Sequence, residues 1–136
     1  MAIRFVTDSG SDIIPKEAKA LGIFVIPMTI TFDGKEYKDC ITLSHSKFYE
    51  MLIESDSLPT TSQVTPGEFA VSFKEIADAG DQAVCITLSS RLSGTYQSAC
   101  IAAEDFPGKV FVVDSENACI GQRLLVFRAI ELQKQG

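Results

Sequence analysis

Residues 83–99 read AVCITLSSRLSGTYQSA, and the change of character at Ser89 decides the fold. Ala83–Leu88 is an apolar run of the length and type of a buried strand. Six hydroxyl residues (Ser89, Ser90, Ser93, Thr95, Tyr96 and Ser98) and one glycine follow within the next ten positions. Gly94–Glu104 then reads as a helix. Strand, polar loop and helix in direct succession form the repeating unit of an α/β domain with a mostly parallel sheet.

The same unit recurs on either side. Upstream, Ile3–Val6 reads as a strand ending in the polar turn Thr7–Asp12. Pro15 at a first-turn position and Gly22 as a stop bracket a short helix over Lys16–Leu21. Phe24–Phe32 is rich in β-branched and aromatic residues and reads as one strand. Asp33-Gly34 then supplies the turn of a β-hairpin returning through Lys35–Tyr37. Phe48, Met51 and Leu52 have helical spacing within Ser46–Ser55. Thr65-Pro66-Gly67-Glu68 has the form of a capping box, with Pro at the first helical position. Phe69, Phe73, Ile76 and Ala77 carry the apolar face of that helix as far as Gly80. Downstream, Val110–Val113 is a further buried strand and Ala118–Lys134 a closing helix.

Composition narrows the function classes. The chain has 136 residues, the size of one domain, with 46% hydrophobic and 22% charged residues. No apolar run approaches the ~20 residues of a membrane helix. The start, MAIRFVTDSGSD, turns polar after its first six residues and does not resemble a secretory signal, so a cytoplasmic protein is expected. Twelve basic residues stand against 18 acidic ones, a net charge of −6 without any Lys/Arg cluster, which argues against nucleic-acid binding. Cys40, Cys85, Cys100 and Cys119 include no CxxC pair and are expected to be buried free thiols. With His45 as the single histidine, a zinc site built on histidines is not expected. Asp8, Asp12 and Asp114 offer carboxylates for a metal, but Asp after a strand is commonly a turn or cap residue, and no metal is expected.

The polar residues fall at one kind of place. Thr7–Ser11, Ser89–Thr95 and Asp114-Ser115 each follow a strand, and ligands of open α/β sheets sit beyond the carboxyl ends of the strands. Thr60-Thr61-Ser62-Gln63 joins them as a loop before the capped helix. At Ser93-Gly94-Thr95 a helix N-terminus presents unpaired N–H groups and a partial positive charge, and Gly94 permits close approach of a ligand. Such a corner suits an anionic oxygen of a carboxylate, phosphate or sulfate. Ser93 also serves simply as a helix cap. A nucleophilic Ser93 would need an oriented base, and His45 lies on an amphipathic helix away from the strand-end loops. There is no P-loop pattern for ATP.

Four motifs then carry a resemblance: VTDSGSDIIP at 6–15, LPTTSQVTPGEF at 58–69, LSSRLSGTYQSA at 88–99 and VVDSENACIG at 112–121. Together with VIPMTITFDGKEYKD at 25–39, they stand in the order seen in the DegV family, which the chain resembles over essentially its whole length. The resemblance implies an α/β lobe (residues 1–136) of a two-lobed protein, the second lobe being absent from this chain. It also implies a bound long-chain fatty acid as ligand, with no cofactor. The FakB-like members present the fatty acid carboxylate to a separate FakA-like kinase subunit, which uses ATP to make acyl phosphate for bacterial phospholipid synthesis. Carried over by motif, Thr61 and Ser93 would bind the carboxylate, with Ser62 and Gly94 beside them.

Three readings follow. The first is a non-enzymatic fatty-acid carrier partnered by a kinase, with transient membrane contact. The second is an enzyme acting on a small carboxylated or phosphorylated substrate at Ser93–Thr95. The third is a fragment that binds nothing alone. Leu92, Phe32 and Ile86 are candidate tail contacts, read here as ordinary core.

Overall fold

The computed structural model describes all 136 residues. Strands β1 (Ile3–Asp8), β2 (Ile23–Ile26), β6 (Gln82–Thr87) and β7 (Val110–Asp114) form a wholly parallel sheet in the order β2-β1-β6-β7. Alternation along β6 explains why helices cover both faces. Ala83 and Cys85 belong to the core under α3 (Pro66–Asp78) and α4 (Thr95–Ala103), where Phe69, Phe73, Ile76, Ala99 and Ala102 pack. Val84 and Ile86 point the other way, toward Ala18 of α1 (Pro15–Leu21) and Val126 of α5 (Cys119–Gln135). Phe69 and Phe73 are fully buried, with Phe73 edge-on to Phe106 at 6.2 Å.

The hairpin belongs to a second sheet. β3 (Thr29–Phe32) pairs antiparallel with β4 (Lys35–Lys38) on one side and with β5 (Thr60–Ser62) on the other. The helix α2 (His45–Glu54) packs on it through Phe48, Met51 and Leu52 around Ile30, Phe32 and Leu43. Two sequence expectations are corrected here. Phe24–Phe32 is not one strand: it breaks at Pro27-Met28, because Pro27 has no N–H for a ladder and the Met28 N–H donates instead to Ser9 Oγ at 3.0 Å. The chain thereby leaves one sheet and enters the other. Thr60–Ser62 is a strand rather than a loop, because Ile30 and Thr29 offer it a ladder to Thr61 and Ser62.

The capping box forms as read. The Glu68 N–H donates to Thr65 Oγ1 at 3.3 Å and the Thr65 N–H donates to the Glu68 carboxylate at 2.8 Å. The thiols are free but not uniformly buried: Cys85 is buried, Cys40 and Cys100 are half-buried, and Cys119 is exposed because it opens α5 on the outer surface.

Candidate functional site

The carboxyl ends of β1, β6 and β7 are stitched together by their own polar groups. Asp8 is fully buried at the end of β1. Its Oδ2 accepts the Leu88 N–H at 2.7 Å, and Oδ1 accepts Gly10 N–H at 2.9 Å and Gln122 Nε2 at 3.2 Å. Burial pushes the Asp8 carboxyl above its ordinary range, with those hydrogen bonds offsetting part of the rise. Gln122 Nε2 also reaches Thr7 Oγ1 at 2.9 Å, so α5 is tied to β1 from within the core. The Ser89 N–H donates to Asn117 O at 2.9 Å, and the Ser90 N–H donates to Asp114 Oδ1 at 3.1 Å. Hydrogen bonds from Ser90 hold the Asp114 carboxyl below its usual range. The three strand-end loops do collect along one edge.

Onto this edge the end of β5 docks. The Val64 N–H donates to Thr95 Oγ1 at 3.3 Å, and the same oxygen lies 2.9 Å from Ser93 Oγ. The Ser93 hydroxyl accepts the Thr95 N–H at 3.2 Å, while Gly94, at the cap of α4, makes no side-chain bond. The Gln63 amide lies against Gly94 so closely that a Cβ there would meet Oε1 at 1.9 Å. The Thr60–Gln63 and Ser93–Thr95 segments are therefore in direct contact, Ser62 exposed and Ser93 and Gly94 half-buried. Sequence reading placed both segments at one edge. It named Gln63 and Thr95 only as members of those segments, not as the two side chains that join them.

Thr61 lines an open cleft of about 520 Å³ between the small sheet, α2 and α5. Ile14, Ile30, Phe48, Tyr49 and Ile120 form the apolar wall, and Asp12, Asp39, His45 and Arg123 the polar one. Of the four candidate residues, Thr61 reaches this cleft and Ser62, Ser93 and Gly94 do not. His45 was expected to stand away from the site. It lines the cleft because α2 folds back over β3, which a local reading of the helix does not reveal. Arg123 was missed for the same reason. Its guanidinium is held by both carboxylate oxygens of Glu17, one at 2.7 Å, which lowers the Glu17 carboxyl below its ordinary value.

Asp8, Asp12 and Asp114 do not converge; Asp8 and Asp114 accept backbone N–H groups instead. The donor atoms that do converge belong to Asp39, Cys40 and His45. Leu92 is 69% exposed on its loop and is not core, whereas Phe32 and Ile86 are core as read.

The sequence model of the DegV family, described as an uncharacterised protein family, matches residues 2–136. The chain belongs to the DegV family. The DegV domain-containing protein of Deinococcus radiodurans is 38% identical over 136 residues, all of this chain and 48% of that protein. Among solved structures, the chain is similar to a DegV family protein from Thermus thermophilus described by its fatty acid binding. That match has a TM-score of 0.90 at 38% identity, over 100% of this chain and 49% of the other. A stearic acid-binding protein from Eubacterium ventriosum matches with a TM-score of 0.90 at 26% identity, over 100% of this chain and 48% of the other. This DegV chain therefore spans about half the length of the relatives it matches. No helix in it is long and apolar enough to cross a membrane.

Proposed function

We propose that this DegV chain is the carboxylate-holding lobe of a fatty-acid carrier. The observation that supports the reading is the contact of the TTSQ segment with the N-terminus of α4, where the Val64 N–H donates to Thr95 Oγ1 and the Gln63 amide lies against Gly94. Thr61 and Ser93 hold the carboxylate, Ser62 and Gly94 border it, and the second lobe completes the enclosure of the tail. The fatty-acid ligands of the Thermus thermophilus and Eubacterium ventriosum proteins support this class of ligand.

The physical logic is asymmetric. Each buried CH₂ contributes ~0.8 kcal/mol, so the tail supplies affinity. The head needs only orientation. Hydroxyls and the positive end of a nine-residue helix provide it without an ion pair that would hide the carboxylate from a second protein. The lobe then presents the carboxylate to a FakA-like kinase, which makes acyl phosphate, and performs no catalysis itself. The surroundings of Ser93 support binding over acyl transfer: its hydroxyl is engaged by Thr95 rather than by an imidazole or carboxylate. Four free cysteines suit the reducing cytoplasm in which such a carrier would act.

Mass spectrometry of organic extracts from this chain and from the two-lobed protein tests the reading. A stoichiometric long-chain fatty acid in the two-lobed form is expected. Thr61→Ala and Ser93→Ala should each weaken it by roughly 10- to 100-fold, the worth of one hydrogen bond to a charged group. No lipid in either form, or unchanged binding and acyl phosphate formation in both variants, overturns it.

A further inference from the structure

We infer that Asp39, Cys40 and His45 form a zinc-class metal site on the wall of the cleft. Cys40 Sγ lies 2.9 Å from His45 Nε2, which lies 3.9 Å from Asp39 Oδ1, and all three donor atoms are within 4.8 Å of one another. Tetrahedral zinc, with Zn–S of about 2.3 Å and Zn–N of about 2.0–2.1 Å, requires donors roughly 3.5 Å apart. The separations of His45 Nε2 from Cys40 Sγ and from Asp39 Oδ1 bracket that value.

The framework is built before any ion arrives. The Asp39 N–H donates to Met28 O at 3.0 Å and the Cys40 N–H to Leu43 O at 3.0 Å. The Lys38 N–H donates to Thr42 Oγ1 at 2.8 Å, closing the loop from its other end. Cys40 is held at φ +60°, a left-handed conformation that non-glycine residues adopt at a cost and that persists where surrounding structure imposes it. Ser44 caps α2 through the Lys47 N–H at 3.2 Å and fixes His45 as the first residue of the helix.

The donor set selects the metal. A thiolate, an imidazole and one carboxylate suit zinc, whereas calcium and magnesium require oxygen ligands. Three protein ligands leave a fourth position, and Asp39 and His45 both line the cleft, so that position is open to water or to a ligand oxygen. Zinc binding displaces the Cys40 thiol proton to solvent and leaves a thiolate and a carboxylate to neutralise the dication. Arg123, the cation of the same wall, is engaged by Glu17 and does not compete for Asp39.

The test uses the 136-residue chain stripped with a chelator and titrated with Co²⁺ and then Zn²⁺. One equivalent of Co²⁺ should produce a thiolate-to-cobalt charge-transfer band in the near ultraviolet, and Zn²⁺ should abolish it by displacement. Cys40→Ser should remove the band. His45→Gln should weaken zinc binding by more than the ~10- to 100-fold that loss of an outer-shell partner costs. Cys119→Ser should change neither, and circular dichroism should show each variant folded. A band that survives Cys40→Ser, or the absence of any band in the parent chain, overturns the assignment. If Cys40→Ser does not fold, unchanged zinc affinity in His45→Gln overturns it equally. None of these readouts depends on fatty-acid binding, so the two proposals stand or fall separately.

Discussion

The Gln63 amide occupies the space that a side chain at Gly94 would need, with Oε1 only 1.9 Å from the position of a Cβ there. This contact couples the TTSQ strand to the N-terminus of α4, and it makes glycine at 94 a requirement of packing rather than of backbone angle, since its φ is −74°. Gly94→Ala should therefore act by displacing Gln63. Because the obstructing atoms are the end of a flexible side chain, the loss of stability should be below about 1 kcal/mol. Gln63→Ala should make Gly94→Ala nearly neutral, a coupling within the range of about 0.5–3 kcal/mol for residues in contact. A thermal or urea double-mutant cycle measures this, and additive effects would contradict the contact.

Phe73 is fully buried between Phe69 and Phe106, under the parallel sheet. Phe73→Ala should cost about 3–5 kcal/mol, transfer and cavity together. Urea unfolding followed by circular dichroism is the measurement. A loss under about 1 kcal/mol would mean that this core is not packed as described.

Removing the Thr65 hydroxyl breaks one side of the capping box while leaving Pro66 in place. Thr65→Ala should cost about 1 kcal/mol. Thr65→Ser retains the hydroxyl acceptor and should recover most of the loss, which separates the cap from any effect of volume.

Acid acts on this chain in two opposite senses. The Arg123 hydrogen bonds to Glu17 and the Ala2 N–H bond to Asp81 depress those carboxyls. Their stabilisation is present above the unfolded values near 4.5 and 3.8 and is lost as pH falls through the lower folded values. Asp8 is raised by burial, so its contribution is fully present below its unfolded value near 3.8 and is lost as pH rises through the folded one. Compared with Asp8→Asn, the parent chain should gain stability between pH 7 and pH 4. Chemical denaturation of both at a series of pH values would show it, and a difference independent of pH would refute the burial argument.

Thiol exposure predicts an order of labelling. Cys119 is exposed and Cys85 fully buried behind the sheet. Brief alkylation of the native chain should mark Cys119 first and Cys85 only on unfolding, read by peptide mass spectrometry. Equal rates would mean that the β6 core opens readily.

Much of the architecture was legible because its signals are local. The apolar run before Ser89, the capping box at Thr65 and the Asp33-Gly34 turn each lie within a few residues of the structure they specify, and each element formed. The failures share a cause. Thr60–Ser62 has no alternation of its own and becomes a strand only because β3 offers unpaired backbone groups, and the Phe24–Phe32 run breaks where Pro27 lacks a donor and the Met28 N–H turns to a serine of another loop.

By itself the sequence determined the alternation of strand and helix through the parallel sheet, the collection of hydroxyls at its carboxyl edge, and the family. These depend on periodicity, turn chemistry and motifs, which the chain carries in linear form. The tertiary structure alone decided which side chains meet. It set Gln63 on Gly94, placed Thr61 on the wall of a cleft, and brought His45 beside Cys40 and across from Arg123. The physical reason is that burial of the apolar faces of α2 and α5 fixes how elements pack. Polar side chains distant in sequence become neighbours as a consequence of that packing, with nothing in their own local pattern to announce it.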